Sequence, residues 1–298
     1  MTIGCAILRR NLITDSIMTN ILISNPQEFD QKLKNIIAWG NDHFHVIADF
    51  DRTLTKAFAE GKPTVSLITR LQNGFFPPEY ADESNKIFHK YHPIEIDSTI
   101  PLDQKKEAMH KRWNEQFNLM FSYWLTRDII KQAMKSEQTD FRQWYAEFFD
   151  MLNVHHTPLL ILSASGLWYE SIYYCLEHEN RLHDNIDIIS NAFDRDEEWR
   201  AIAAREPIIH SFNKDETVVK NFPIYDEIKD RKNILLLGDW LWDSHMADGF
   251  DYETIIKIWF LNDDTPENRE QFQKRYDLVI LDDGPMDEVN EILKKILK

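Results

Sequence analysis

A short apolar run that ends in two aspartates constrains the fold and the chemistry of this chain most strongly. The run covers residues 44–48, Asp49 and Asp51 follow it, and Thr53 adds a hydroxyl. Such a run is typical of a buried strand, and buried strands of open α/β sheets present ligand groups at their carboxyl ends. Two neighbouring carboxylates repel each other, so their joint ionisation requires a cation or a proton between them. The pattern suits Mg²⁺-assisted phosphoryl transfer, and an ordinary strand-to-turn junction is the alternative.

Further apolar runs predict an α/β fold with a doubly wound (Rossmann-like) parallel sheet. Helical spacing is found over residues 26–39 and 285–297. The strand-like runs that follow the first one are residues 157–164, 186–190, 233–238, 255–261 and 278–281. Strands that alternate with helical sequence along a chain indicate a parallel sheet with helices on its faces.

The region between the first two core strands has a different character and is interpreted as an insertion. Its first half is rich in turn residues, and residues 102–151 are helical in pattern and rich in aromatic side chains. We therefore expect a mainly helical cap domain, inserted over the carboxyl edge of the sheet. The expected division is an N-terminal tail over 1–24, a core domain over 25–60 and 152–298, and a cap domain over 61–151.

Composition and charge narrow the class of protein. The 298-residue chain has a formal net charge of −16, which argues against a broad nucleic-acid surface. Its two cysteines, Cys5 and Cys175, argue against a disulfide framework and fit a reducing cytoplasm. No apolar run approaches the roughly 18 residues of a membrane span. We expect a cytoplasmic monomer or weak oligomer that acts on a small molecule, without nucleic-acid or membrane partners.

Further polar positions can complete a phosphate site. Ser163 follows a predicted strand and opens the next helix in our interpretation, where it either cradles a phosphate or simply caps the helix. Lys214 supplies a cation, although a loop lysine is usually a solvated charge. Asp239 and Asp243 follow the run 233–238 and can complete an octahedral Mg²⁺ site. Each feature alone is common in proteins.

In this order, the segments resemble the four motifs of the haloacid dehalogenase-like phosphatase superfamily. The resemblance extends to one branch, the cytosolic pyrimidine 5′-nucleotidases of the nucleotidase III type, and runs from about residue 30 to the C-terminus. The segments that carry it are residues 48–55, 94–97, 163–164, 209–214, 236–239, 246–249 and 256–263. The last two, which contain Met-Ala-Asp-Gly and Leu-Asn-Asp, are the most specific.

The resemblance implies catalytic and metal-binding roles for four aspartates. Asp49 would be the nucleophile that forms an aspartyl-phosphate, and Asp51 would be the general acid and base. Mg²⁺ would be held by Asp49, by Asp51 through or beside its backbone, and by Asp239. Asp243 would support these ligands.

The resemblance also implies the residues that bind the substrate. Ser163, Ala164 and Lys214 would bind the phosphoryl group, while Glu95 and Trp113 lie where the cap of the family meets the nucleobase. A carboxylate only accepts hydrogen bonds, so Glu95 favours a base with an exocyclic amine, and its negative charge favours a cationic base. CMP is therefore expected to be hydrolysed better than UMP, and 7-methyl-GMP is the second candidate.

Three departures from the family pattern affect the expected identity of the base and do not affect the expected phosphate chemistry. Residues 163–166 read Ser-Ala-Ser-Gly where the family usually has Ser-Ala-Gly. Phe117 stands where a serine of the cap is expected, and Trp240 and Trp242 replace small or polar residues.

We therefore expect a Mg²⁺-dependent 5′-nucleotidase that releases phosphate from nucleoside 5′-monophosphates through an aspartyl-phosphate. A phosphatase of another small phosphorylated metabolite, or a nucleoside phosphotransferase, is the alternative on the same fold. A catalytically silent binding protein is disfavoured because Asp49, Asp51, Lys214 and Asp239 are all present.

Overall fold

The computed structural model of the chain describes residues 21–64, 66–165 and 167–298, and the following elements lie within them. The strands are β1 (Ile21–Ile23), β2 (Phe44–Ala48), β3 (Phe58–Ala59), β4 (Lys62–Pro63), β5 (Leu159–Leu162), β6 (Ile186–Ile189), β7 (Phe193–Arg195), β8 (Ala201–Ala204), β9 (Asn233–Gly238), β10 (Thr254–Leu261) and β11 (Leu278–Leu281). The α-helices are α1 (Pro26–Trp39), α2 (Pro78–Ile96), α3 (Leu102–Ser122), α4 (Arg127–Ser136), α5 (Tyr145–Val154), α6 (Tyr169–His178), α7 (Glu216–Val219), α8 (Ile224–Ile228), α9 (Pro266–Gln273) and α10 (Asp287–Ile296).

A seven-stranded sheet in the order β1-β11-β10-β9-β2-β5-β6 forms the centre of the described structure. All of its neighbouring pairs are parallel except β1 with β11. Every residue of β2 and of β9 is buried, as expected for strands covered on both faces. The predicted doubly wound α/β fold is confirmed. Residues 21–23, which fall in the expected tail, form the edge strand β1, and residues 1–20 lie outside the described part.

The two faces of the sheet carry separate apolar layers. Leu235 and Leu237 of β9 pack in a cluster with α1 and α10, whereas Ile234 and Leu236 pack in a second cluster with α7, α8 and α9. This alternation follows from the two-residue period of a strand. Helix α1 begins at an Asn25 side chain that accepts the N–H of Glu28. It ends where the predicted helix ends, at Trp39.

The insertion between β2 and β5 is mainly helical. Helices α2 and α3 pack against each other, α4 packs against α6, and α5 packs against α10. Much of the aromatic sequence of this region is packing core, since Phe117 is buried, whereas Trp124 remains 59% exposed. No helix in the described ranges is long and apolar enough to cross a membrane.

Candidate active site

The carboxyl edge of the sheet brings together residues from distant parts of the chain. Asp49 follows β2, Ser163 follows β5 and Asp239 follows β9. The backbone N–H of Asp49 donates to the carbonyl of Leu237 at 3.1 Å, which continues the pairing of β2 with β9 by one residue. Because these strands are parallel neighbours, their polar ends meet at one edge.

Three carboxylates form an acidic cluster at this edge: Asp49, Asp239 and Asp243. They offer oxygen atoms that all lie within 4.8 Å of one another. Asp243 is oriented by the backbone, because its Oδ2 accepts the N–H groups of Asp239 at 3.2 Å and of Trp240 at 2.9 Å. A Cβ atom at Gly238 would lie 2.5 Å from that of Asp243, so only glycine allows this close approach.

Lys214 lies inside the acidic cluster. Its Nζ is 2.7 Å from Oδ1 of Asp49 and 2.6 Å from Oδ1 of Asp243, and the residue is only 7% exposed. Burial acts to lower the pKa of Lys214, but Asp243 and Asp49 raise it above its usual value. Lys214 is therefore a buried ammonium group and not a solvated loop charge.

Burial and mutual repulsion destabilise the ionised aspartates. Burial raises the pKa of Asp49 to about 7, against the attraction of Lys214, and the charge of Asp243 adds to the rise. The pKa of Asp239 is raised well above its usual value, by burial first and then by Asp243 and Asp49. One ammonium faces three carboxylates, and oxygen-only donors suit a hard divalent cation. The cluster can therefore bind a metal ion.

Asp51 does not belong to the acidic cluster. The residue lines a separate cavity of about 200 Å³ with Arg70 and Thr139, and the backbone of Leu67 favours its ionised form. Burial raises the pKa of Asp51 to about 6, against the attraction of Arg52 and Arg70. Such a carboxyl group can exchange a proton near neutral pH.

A buried network orients Asp239. Thr53 Oγ1 and Asn262 Nδ2 each donate to its carboxylate at 3.3 Å. The fully buried Arg142 in turn donates to Asn262 Oδ1 at 2.7 Å, to the carbonyl of Thr53 at 2.6 Å and to that of Gly284 at 2.7 Å. Arg142 is not among the residues expected from the sequence, and Asn262 had no expected role. Asn262 lies in a segment that carries the family resemblance, but nothing in the sequence marks Arg142.

The loop after β5 differs from the expectation for Ser163. Helix α6 begins at Tyr169, so the expectation that Ser163 opens a helix directly is wrong. Instead the hydroxyl of Ser163 accepts the N–H of Ser165 at 3.1 Å. The carbonyl of Ser165 is held by Ser190 at 3.0 Å and Asn191 at 3.2 Å. These contacts hold Ser163 and Ala164 at the strand end through a short turn.

Glu95 and Trp113 line different cavities. Glu95 lines a cleft of about 950 Å³, which it shares with Asp239 and Trp242. Trp113 lines a cavity of about 320 Å³ next to it in the insertion, and Arg52 borders both. Arg52 thus links the two cavities, but the structure does not place Glu95 and Trp113 in one pocket.

Comparison with known proteins identifies the family. A profile of the family "Pyrimidine 5′-nucleotidase (UMPH-1)" matches residues 52–297. The chain is 33% identical over 280 residues to 7-methylguanosine phosphate-specific 5′-nucleotidase A of Xenopus laevis, which covers 92% of this chain and 94% of the relative. It is 31% identical over 289 residues to the 7-methylguanosine phosphate-specific 5′-nucleotidase of Rattus norvegicus, with 96% and 95% coverage.

Solved structures agree with this assignment. Cytosolic 5′-nucleotidase IIIB bound to cytidine matches 93% of each chain with a TM-score of 0.85 at 29% identity. A probable phosphoserine phosphatase from Vibrio cholerae, at 12% identity and a TM-score of 0.54, shares the fold over 91% of this chain and 72% of its own. The expected fold and family are both confirmed: the chain belongs to the pyrimidine 5′-nucleotidase (UMPH-1) family of enzymes, on the haloacid dehalogenase-like fold.

Proposed function

We propose that this chain hydrolyses nucleoside 5′-monophosphates to nucleoside and phosphate, with Mg²⁺ as its cofactor. The observation that carries the proposal is the buried contact of Lys214 with Asp49 at 2.7 Å, inside the acidic cluster at the sheet edge. A nucleophilic carboxylate beside a fixed ammonium group is suited to attack on a phosphoryl group. The names of the relatives support a nucleotide as the substrate.

The chain can perform the reaction in two steps. Asp49 attacks phosphorus and forms an aspartyl-phosphate, while Asp51 gives its proton to the departing 5′-oxygen of the nucleoside. Asp51 then takes a proton from the water that attacks the aspartyl-phosphate, which releases phosphate and restores Asp49. Lys214, with Ser163 and the N–H of Ala164, would hold the phosphoryl oxygens. The charge on these oxygens is further offset by Mg²⁺ when it is bound.

The residues proposed to hold Mg²⁺ are those of the acidic cluster, Asp49, Asp239 and Asp243, with the backbone beside Asp51. The raised pKa values of Asp49 and Asp239 support this assignment, because a divalent cation would remove the repulsion that causes them. The side chain of Asp51 is left for proton transfer.

The proposed division of labour follows the fold. Residues 25–60 and 152–298 would form the core that handles phosphate, and residues 61–151 the cap that reads the base. Relatives named for cytosolic 5′-nucleotidases support a cytoplasmic location. The names of relatives include 7-methylguanosine phosphate, and one solved relative holds cytidine, so CMP and 7-methyl-GMP are the first substrates to test.

A substrate panel tests the proposal. Phosphate release is measured for CMP, UMP, GMP, 7-methyl-GMP, AMP and ribose 5-phosphate, each with Mg²⁺. Nucleotides are expected to give a kcat/KM well above that of ribose 5-phosphate, because only they reach the cap. Equal values for CMP and ribose 5-phosphate would show a phosphatase of another metabolite, and transfer of phosphate to added uridine would show a phosphotransferase.

Asp51→Asn is expected to lower kcat for CMP by roughly 10²–10⁴-fold, the usual worth of a general acid–base group. The loss should be smaller for p-nitrophenyl phosphate, because p-nitrophenolate departs without a proton. The measurement is kcat for both substrates, with the exposed Asp42→Asn as control. An equal loss on both substrates would argue against proton donation by Asp51 to the leaving group.

Lys214→Met is expected to lower kcat/KM by about 10²–10³-fold, because an aligned charge at the phosphoryl group is lost. Lys220→Met is the matched control, since Lys220 is half exposed and pairs with Glu216 one helical turn away. Kinetics are measured for both variants with CMP. Wild-type values for Lys214→Met would contradict its phosphate-binding role.

A further inference from the structure

Arg112 contacts both residues that were expected to read the base. Its Nη1 donates to Oε2 of Glu95 at 2.7 Å. Its guanidinium lies 5.3 Å from the ring centroid of Trp113 and 5.4 Å from that of Phe88. The side chain is only 17% exposed and lines the 320 Å³ cavity with both rings. Arg112 therefore lies between the carboxylate and the cavity that contains the aromatic rings.

The charge of Glu95 is already balanced. Besides Arg112, the hydroxyl of Ser211 donates to its Oε1 at 2.7 Å, so both carboxylate oxygens have partners. An unpaired carboxylate would attract a cationic base, but the ion pair of Glu95 with Arg112 has no net charge. The expectation that Glu95 favours a cationic base consequently loses its electrostatic basis.

The rings of the cavity are also already engaged. Trp113 stacks on Phe117 with a centroid distance of 5.5 Å, and the guanidinium of Arg112 lies within the about 6 Å over which a cation attracts an aromatic ring. A base that enters this cavity meets the flat guanidinium, a surface on which nucleobases commonly stack. A neutral base can stack there, whereas a cationic base faces a like charge.

The guanidinium still has donors available. Within the described residues, its hydrogen bonds all start from Nη1, towards Glu95 and the Sδ of Met109. Arginine has five N–H donors and no acceptor, so Nε and Nη2 can donate to carbonyl oxygens of a base. The cavity, at about 320 Å³, is within the size range of small-ligand sites. Uracil and cytosine both carry the carbonyl O2 that such donors recognise.

We infer that Arg112 determines specificity: it selects neutral pyrimidine nucleotides, and it disfavours a cationic base such as 7-methylguanine. The inference rests on the proposed function, because it names the substrate class of that same site. It would separate this chain from the relatives named for 7-methylguanosine phosphate. It also removes the expected advantage of CMP over UMP, since Arg112 reads a carbonyl that both bases share.

The test compares GMP with 7-methyl-GMP, which differ by one methyl group and one positive charge, at slightly acidic pH. The wild type is expected to hydrolyse CMP and UMP with similar kcat/KM, and to show no preference for 7-methyl-GMP over GMP. In Arg112→Met, kcat/KM for 7-methyl-GMP divided by kcat/KM for GMP should rise about tenfold, because Glu95 loses its counter-charge. This corresponds to a change of about 1.4 kcal/mol. The ratio of kcat/KM for CMP to kcat/KM for UMP should rise as well.

Three controls make the result decisive. Lys111→Met, at an exposed neighbouring position, should leave all ratios unchanged. Arg112→Lys keeps the charge and should keep the discrimination against 7-methyl-GMP. This variant tests the inference even if Arg112→Met does not fold. Adding Glu95→Gln to Arg112→Met should cancel the gain for 7-methyl-GMP.

The outcomes separate the inference from the proposed function. A wild type that prefers 7-methyl-GMP to GMP, or unchanged ratios in a folded Arg112→Met, would overturn the role of Arg112 while nucleotide hydrolysis stands. Loss of discrimination in Arg112→Lys would also overturn it. A wild type that hydrolyses p-nitrophenyl phosphate but no nucleotide would instead remove the proposed function.

Discussion

Asp49→Asn is expected to abolish turnover, with a loss of at least about 10⁴-fold in kcat, because an amide is nearly isosteric with a carboxylate but is not nucleophilic. Folding should survive the change. Lys214 keeps its 2.6 Å contact with Asp243, and the variant removes one of three crowded negative charges. Since burial raises the pKa of Asp49, its ionised form weakens the metal-free fold, and the variant should melt no lower than the wild type near neutral pH.

The measurement is phosphate release from CMP at substrate saturation, together with thermal unfolding of the metal-free protein. Asp226→Asn is the matched control, because Asp226 is exposed and pairs with Lys229 on the surface. Turnover by Asp49→Asn at a rate comparable to the wild type would exclude an aspartyl-phosphate at this residue.

Removal of divalent cations with excess EDTA is expected to abolish activity, and Mg²⁺ should restore it better than Zn²⁺. The reason is the donor set of the acidic cluster, which offers carboxylate oxygens and no histidine or cysteine among the described residues. Activity is measured before chelation, after it and after Mg²⁺ is returned. Full phosphatase activity in excess EDTA would contradict a role for the metal.

The metal-free protein should also show a characteristic dependence of stability on pH. Burial raises the pKa of Asp49 from 3.8 to about 7, so the folded state binds its proton more tightly than the unfolded state does. The contribution of Asp49 to the free energy of unfolding is therefore lost as pH rises between these two pKa values. Each unit of pKa difference corresponds to about 1.4 kcal/mol. With EDTA the melting temperature should fall between about pH 5 and pH 7.5, and Mg²⁺ should raise it most at the higher pH. A stabilisation by Mg²⁺ that does not depend on pH would argue against the acidic cluster as its site.

The core of the fold could be predicted because its signals are local. The apolar residues 44–48 and 233–238 are consecutive, and the aspartates that follow them are adjacent in sequence to the strands that position them. Parallel pairing then brings Asp49 and Asp239 to one edge without further information. The family resemblance supplied the order of the motifs.

The remaining features depend on contacts between distant residues. The pairing of Glu95 with Arg112 and Ser211 spans up to 116 residues, and no local pattern indicates it. The start of α6 at Tyr169 was missed because a serine after a strand suits a helix cap and a turn equally well. Asp51 follows Asp49 by two residues, yet it lines another cavity, together with residues as distant as Thr139.

The contacts of Arg142 have a consequence for the order in which the protein becomes an enzyme. This side chain ties the loop of Thr53, near the start of the chain, to Gly284, near its end. A ribosome delivers the chain from the N-terminus, and domains generally fold as units as they emerge. The proposed nucleophile, Asp49, is therefore synthesised early. The network that orients Asp239 is complete only once Gly284 has left the ribosome. Nascent chains that end between Asp243 and Gly284 contain every proposed catalytic residue but lack the contact of Arg142 with Gly284 that completes this network.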